Sequence, residues 1–327
     1  DPRTTTLLLT ALGRKAAPQA VFNTIRSLGA AGCDVNVIHF NAAITACERG
    51  CDWIVALDLL SCLAQSGVEA NTITYSAAIS ACYKGGEWIR ALELLGTMVR
   101  SLVSIDTIAC SAAISACDRG GEWTKALELL SGMVQERLEA NAVTYGGAIS
   151  ACEGGGKWAM ALELLSDMTR MRVQPNTITY SAAISACEKC KKWGLALELL
   201  SEMILNRVVV DNITYSAVIS ACEKGGEWTK ALEVLSDMVL SRTEMSTITC
   251  SAAISACEKT CKWTTALELL NVMVHRRVEV NIITYNATIS ACEKSGEWTK
   301  ALELLDVMVR NRVKMNSVTC SAAISAC

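Results

Sequence analysis

The chain has 327 residues, 51% of them apolar, and a formal net charge of −3. Three prolines and two phenylalanines, against abundant Ala, Leu, Ser and Glu, favour an all-helical protein and exclude a sandwich, a barrel or a disordered chain. Mean hydropathy is +0.31, yet Ser, Glu, Lys or Thr interrupts every stretch before the roughly eighteen apolar residues a membrane-spanning helix needs, and no secretory or transit segment is visible.

In chain order, the first frame, 1–36, is degenerate: Pro18 stands where later frames carry Trp, although Phe22, Ile25 and Leu28 keep one helix face. From there two arithmetic series run at a step of 35 residues: Cys47, Cys82, Cys117 and onward to Cys327, and Trp53, Trp88, Trp123 and onward to Trp298. A fixed period in this range marks a stacked repeat array and overrides the two or three domains that length alone would allow. Eight repeats fill 37–316 and a truncated one fills 317–327. The start at Asp1 and the stop inside the pattern read as a piece of a longer protein.

Residues 177–211 show one repeat. Tyr180, Ala183, Ile184 and Cys187 share a face of a helix expected over 178–188. Trp193, Ala196, Leu197, Leu200 and Met203 share a face of a second helix over 192–205. The link carries Gly-Gly in half of the eight repeats, as at Gly85–Gly86, which suits a helix stop and tight turn. A single hairpin cannot bury both faces; stacking does so, at about 1.5–3 kcal/mol per large side chain. The expected fold is all-α: one continuous α-solenoid superhelix of stacked helix-turn-helix hairpins.

The pattern Thr-Tyr-Ser/Asn-x-x-Ile-Ser-Ala-Cys, Gly-Glu-Trp-x-x-Ala-Leu-Glu-Leu-Leu-x-x-Met, then Val-x-x-Asn/Asp resembles the pentatricopeptide repeat (PPR) over nearly the whole chain. The tetratricopeptide repeat has a period of about 34 and a Trp-x-x-Leu-Gly-x-x-Tyr start that is absent here. The resemblance implies a groove lined by first helices that binds single-stranded RNA, one base per repeat, in a plastid or mitochondrion, where such proteins act in RNA processing, stability, translation or editing.

It also marks two columns as base selectors. The first is Asn41, Ser76, Ser111, Gly146, Ser181, Ser216, Ser251 and Asn286; the second is Asn36, Asn71, Asp106, Asn141, Asn176, Asp211, Ser246, Asn281 and Asn316. Both also suit helix capping. A short Ser leaves room for a purine and a longer Asn fits a pyrimidine. Ionised Asp only accepts, which suits G and U, whereas Asn also donates, which suits A and C. Ser76 with Asp106, and Ser181 with Asp211, should read G; Ser111 with Asn141, and Ser251 with Asn281, should read A. Asn41 with Asn71, and Asn286 with Asn316, should read C, with U tolerated, and Thr6 with Asn36 should read A if the first frame is competent. Gly146 with Asn176, and Ser216 with Ser246, depart from the pattern. With RNA running parallel to the chain the expected site is 5′-ACGAnG(A)AC-3′.

A third column, Ile38, Ile73, Ile108, Val143, Ile178, Ile213, Ile248, Ile283 and Val318, suits packing against the neighbouring hairpin, or, by the resemblance, wedging between bases. Cations end the first helices at Arg49, Lys84, Arg119, Lys189, Lys224, Lys259 and Lys294. They complement the helix dipole or face phosphates. Seven phosphate contacts would give log K against log salt a slope of about −5. Glu48, Glu153, Glu188, Glu223, Glu258 and Glu293 stand beside them and partly cancel them, and Asp58, Glu93 and their equivalents make the second helices acidic. A further row, Arg137, Arg172, Arg207, Arg242, Arg277 and Arg312, falls in the inter-repeat loops, where the family more often has Gly; it reads as a solvated rim.

Catalytic chemistry is absent from the pattern. His39 and His275 stand in unrelated columns, and Cys187-x-x-Cys190 has neither a second pair nor a nearby His for zinc. The Cys47 series, and Cys110, Cys250 and Cys320 in the Tyr75 column, read as small core residues. The segment is expected to be no enzyme, to need no cofactor or membrane, and to take single-stranded RNA as partner, with protein partners or catalytic domains outside it. A protein-binding helical scaffold is the alternative.

Overall fold

The computed structural model describes residues 18–30 and 35–326. Thr6, Cys327 and the side chains of Val318 and Cys320 lie outside the described residues. The chain separates into two compact units, Asp1–Gln174 and Pro175–Cys327. In the first unit the helices are α1 (Pro18–Ala30), α2 (Val37–Gly50), α3 (Trp53–Gln65), α4 (Thr72–Gly85), α5 (Trp88–Arg100), α6 (Thr107–Gly120), α7 (Trp123–Gln135), α8 (Ala142–Gly154) and α9 (Trp158–Arg170). In the second they are α10 (Thr177–Lys189), α11 (Trp193–Leu205), α12 (Asn212–Gly225), α13 (Trp228–Leu240), α14 (Thr247–Lys259), α15 (Trp263–His275), α16 (Ile282–Lys294), α17 (Trp298–Arg310) and α18 (Ser317–Ala326). Even-numbered helices open each repeat and odd-numbered ones close it; no strand occurs among the described residues. No helix among them is long and apolar enough to cross a membrane.

Within the first unit α2, α4, α6 and α8 pack in succession, and α3, α5 and α7 each pack on their own first helix and on the next. The second unit repeats this with α10, α12, α14, α16 and α18. The inter-hairpin core is built from the expected columns. Ile44, Ile79, Ile114, Ile149, Ile184, Ile219, Ile254 and Ile289 are fully buried, as are Ala and Met of the second helices, such as Ala196 and Met203. Leu199 joins Leu200 in that core, while Leu197 is half-buried.

The periodic cysteines pack where first helices meet. Cys82, Cys117, Cys152, Cys187, Cys222, Cys257 and Cys292 are fully buried and free. Desolvation pushes the Cys222 thiol up to about 11 and the Cys47 thiol up to about 12.

Both helices of a repeat end on a left-handed residue with paired backbone bonds. After α4, Gly86 has φ 82°, its N–H donates to Tyr83 O and that of Glu87 donates to Cys82 O at 2.9 Å. After the second helices the same position holds Gly67 at φ 72°, but then Leu102, Arg137, Arg172, Arg207, Arg242, Arg277 and Arg312, all between 54° and 59°. The arginine row is therefore a row of left-handed non-glycine residues, each disfavoured by about 1–2 kcal/mol.

Candidate nucleic-acid interface

The second selector column caps the first helices. Asn71, Asp106, Asn141, Asn176, Asp211, Ser246 and Asn281 have extended backbone and accept through a side-chain oxygen from the N–H two or three residues on. In four of these helices a Thr at that third residue returns a bond to the cap's own N–H, completing a capping box. At α2 the Thr is replaced by His39, whose Nδ1 accepts from the Asn36 N–H.

The first selector column lies four residues into the helix and caps nothing. Its side chains reach the cap that opens the next repeat. Ser76 Oγ donates to Asp106 Oδ1 at 2.9 Å, Asn41 Nδ2 to Asn71 Oδ1 at 3.2 Å and Asn286 Nδ2 to Asn316 Oδ1 at 3.4 Å. Three other pairs join through the Thr hydroxyl. Ser181 Oγ lies 2.6 Å from Thr214 Oγ1, which donates to Asp211 Oδ1 at 2.7 Å. Ser111, Thr144 and Asn141 repeat the relay, as do Ser251, Thr284 and Asn281. Ser216 instead bonds back to Asn212 O at 2.7 Å, and Gly146 is buried with no side chain to offer.

These bonds orient the caps. The Thr214 N–H and hydroxyl both end on Asp211 Oδ1, which leaves Oδ2 as a further acceptor. On Asn281 the same two donors, from Thr284, end on Oδ1, which leaves the amide NH₂ as a donor. Beside each pair stands an uncovered apolar side chain. Ile38, Ile73, Ile108, Val143, Ile178, Ile213, Ile248 and Ile283 are 58–69% exposed, so packing against the neighbouring hairpin does not account for this column.

Four of the cations at the first-helix ends are engaged with carboxylates of the preceding repeat. Lys84 pairs with Glu48 at 2.9 Å, Lys224 with Glu188 at 2.9 Å, Lys259 with Glu223 at 2.7 Å and Lys294 with Glu258 at 2.8 Å. Arg119 donates to Lys84 O and lies over the Tyr83 ring; Arg49 is exposed. On the second helices Glu93, Glu128, Glu233 and Glu303 pair with a cation three residues earlier.

No curated protein matches the chain. The family described as the pentacotripeptide-repeat region of PRORP matches residues 62–253, and the PPR repeat family matches 245–294 and 280–327. The chain belongs to the pentatricopeptide repeat family. Among solved structures, maize PPR10 is 25% identical with a TM-score of 0.67, over 99% of this chain and 46% of that one. PPR10 in complex with an 18-nt psaJ RNA element is 23% identical with a TM-score of 0.52, over 100% and 51%. The chain thus spans about half the length of these solved proteins.

In this PPR chain the threonines Thr74, Thr144, Thr179, Thr214, Thr249, Thr284 and Thr319, all fully buried, belong to the hydrogen-bond network of the candidate site and were not singled out in the sequence. Their only signal was a Thr recurring three residues after seven of the nine caps. The α6 repeat lacks one, Ala109 standing there, and Ser76 then reaches Asp106 directly.

Proposed function

We propose that the chain binds single-stranded RNA sequence-specifically, one base per repeat, at 5′-ACGAnG(A)AC-3′, within organellar RNA metabolism. The observation that carries this reading is the recurrence, at the start of the first helices, of an exposed Ile or Val beside an oriented donor or acceptor. The aliphatic side chain gives a base a face to stack on, and the capping side chain addresses its Watson–Crick edge. Asp106 and Asp211 offer an acceptor for G; Asn141 and Asn281 offer a donor for A. The complex of PPR10 with an RNA element supports the same use of the fold. Phosphate contacts by Lys84, Lys224, Lys259 and Lys294 require exchange of a carboxylate for a phosphate. The salt slope from the first-helix cations is therefore shallower than the −5 or so of seven free cations.

The test is a gel shift of the purified chain with 5′-ACGAAGAAC-3′, a scrambled RNA and the same sequence as DNA. Preference for the first RNA, with Asp106→Asn moving the third base from G towards A, supports the reading. Equal binding to all three, or to none, sinks it.

A further inference from the structure

We propose that the inter-repeat arginines Arg207, Arg242, Arg277 and Arg312 of the second unit form a phosphate-binding row along the selector edge, which takes the sugar-phosphate backbone of single-stranded RNA. This rests on the RNA-binding reading above.

Place is the first argument. Each arginine precedes the cap of the next helix by four residues, Arg207 before Asp211 and Arg277 before Asn281, at most about 13 Å of chain. The lysines stand at the opposite end of the first helices: Ser216 to Lys224 is eight residues, about 12 Å of helix rise. The arginines are therefore cations on the selectors' own edge. A groove of about 800 Å³ makes this direct, because Arg242, Arg276 and Arg277 line it together with the capping selector Ser246 and with Thr247. Glu244 and Glu279 line it too.

Availability is the second argument. Their N–H groups close the turns, but among the described residues no ion pair or hydrogen bond engages the guanidinium of Arg207, Arg242, Arg276, Arg277 or Arg312, and the row is exposed. Lys224, Lys259 and Lys294, by contrast, each hold a carboxylate. The loops that carry the arginines are also held in place. Thr177 Oγ1 donates to Val209 O at 2.8 Å and Thr247 Oγ1 to Glu279 O at 2.8 Å.

Strain is the third. The row keeps a left-handed backbone at Arg in a position where Gly67 sits without cost, and such strain gathers at binding sites. A guanidinium fork meets two phosphate oxygens at once, and one cation per repeat matches one phosphate per base.

The experiment replaces all four arginines of the full chain by Gly, and in parallel by Gln and by Lys. Affinity for 5′-ACGAAGAAC-3′ is measured across a salt series, with thermal melts of each variant. The Gly variant relieves the strained turns, so its melting temperature should rise and weaker binding cannot be ascribed to unfolding. The slope of log K against log salt should become shallower by about 3 in the Gly and Gln variants and stay unchanged in the Lys variant, with base preference kept throughout. An unchanged slope in the Gly and Gln variants, with base preference intact, overturns the row alone. A wild-type chain that binds no RNA overturns both the row and the RNA reading. Polyglutamate competing as well as the RNA would assign the row to an acidic protein instead.

Discussion

At the residue scale, each Asn or Asp cap has two ends: one oxygen ends the helix, and the other group is the one proposed to read a base. Replacing Asn281 by Asp should keep the cap, since Asn and Asp cap equally well, and should change the base preferred with Ser251 from A to G in a competition assay. Replacing it by Ala should lower unfolding free energy by about 1 kcal/mol and abolish discrimination at that base. The buried Thr hydroxyl holds the pair in register. Thr214→Val keeps shape and removes the relay from Ser181 to Asp211. The preference for G over A there should fall about fivefold, one net hydrogen bond of about 1 kcal/mol; an unchanged preference would limit the hydroxyl to capping.

At the scale of the element, helix extents were legible to within a residue or two. The expected 178–188 and 192–205 became Thr177–Lys189 and Trp193–Leu205, because caps, left-handed stops and face spacing are local. The partners of the charged ends were not. Lys259 reaches Glu223, thirty-six residues back, a pairing that depends on the offset between stacked hairpins. Such half-exposed pairs contribute little to stability, about 0.2–1 kcal/mol. Glu223→Gln with Glu258→Gln should therefore leave the melt nearly unchanged. The freed Lys259 and Lys294 should steepen the salt dependence of RNA binding by about 1.4 in slope if they face phosphates. An unchanged slope would remove those two lysines from the interface.

At the scale of the whole molecule, the recurring buried thiols couple stability to pH. Cys82, Cys117, Cys152, Cys187, Cys222, Cys257 and Cys292 are each raised from 9.0 to about 11, burial being the largest cause. Between pH 9 and 11 the folded chain keeps these protons while the unfolded chain releases them, so stability is full below pH 9 and falls as pH rises through that window. The loss is about 1.4 kcal/mol per thiol per pH unit. Urea midpoints measured from pH 7 to 11 should drop steeply above pH 9, and less steeply after Cys222→Ala and Cys257→Ala; a flat profile would contradict the burial. Iodoacetamide at pH 8 should modify the exposed Cys51 and Cys261 and spare this series until the chain unfolds.

The sequence by itself determined the helical class, the 35-residue unit and the core columns. Face spacing at three, four and seven residues is a property of one helix, and a repeated unit repeats its burial. Tertiary structure alone decided what each column touches. Only there did Ile38 and its equivalents prove exposed, Ser181 reach Asp211 through Thr214 and the chain separate into two compact units. Only there were the lysines engaged and the loop arginines left open. These outcomes join residues thirty to thirty-six positions apart, and the rotation and rise between neighbouring hairpins, which no single helix encodes, set which side chains meet.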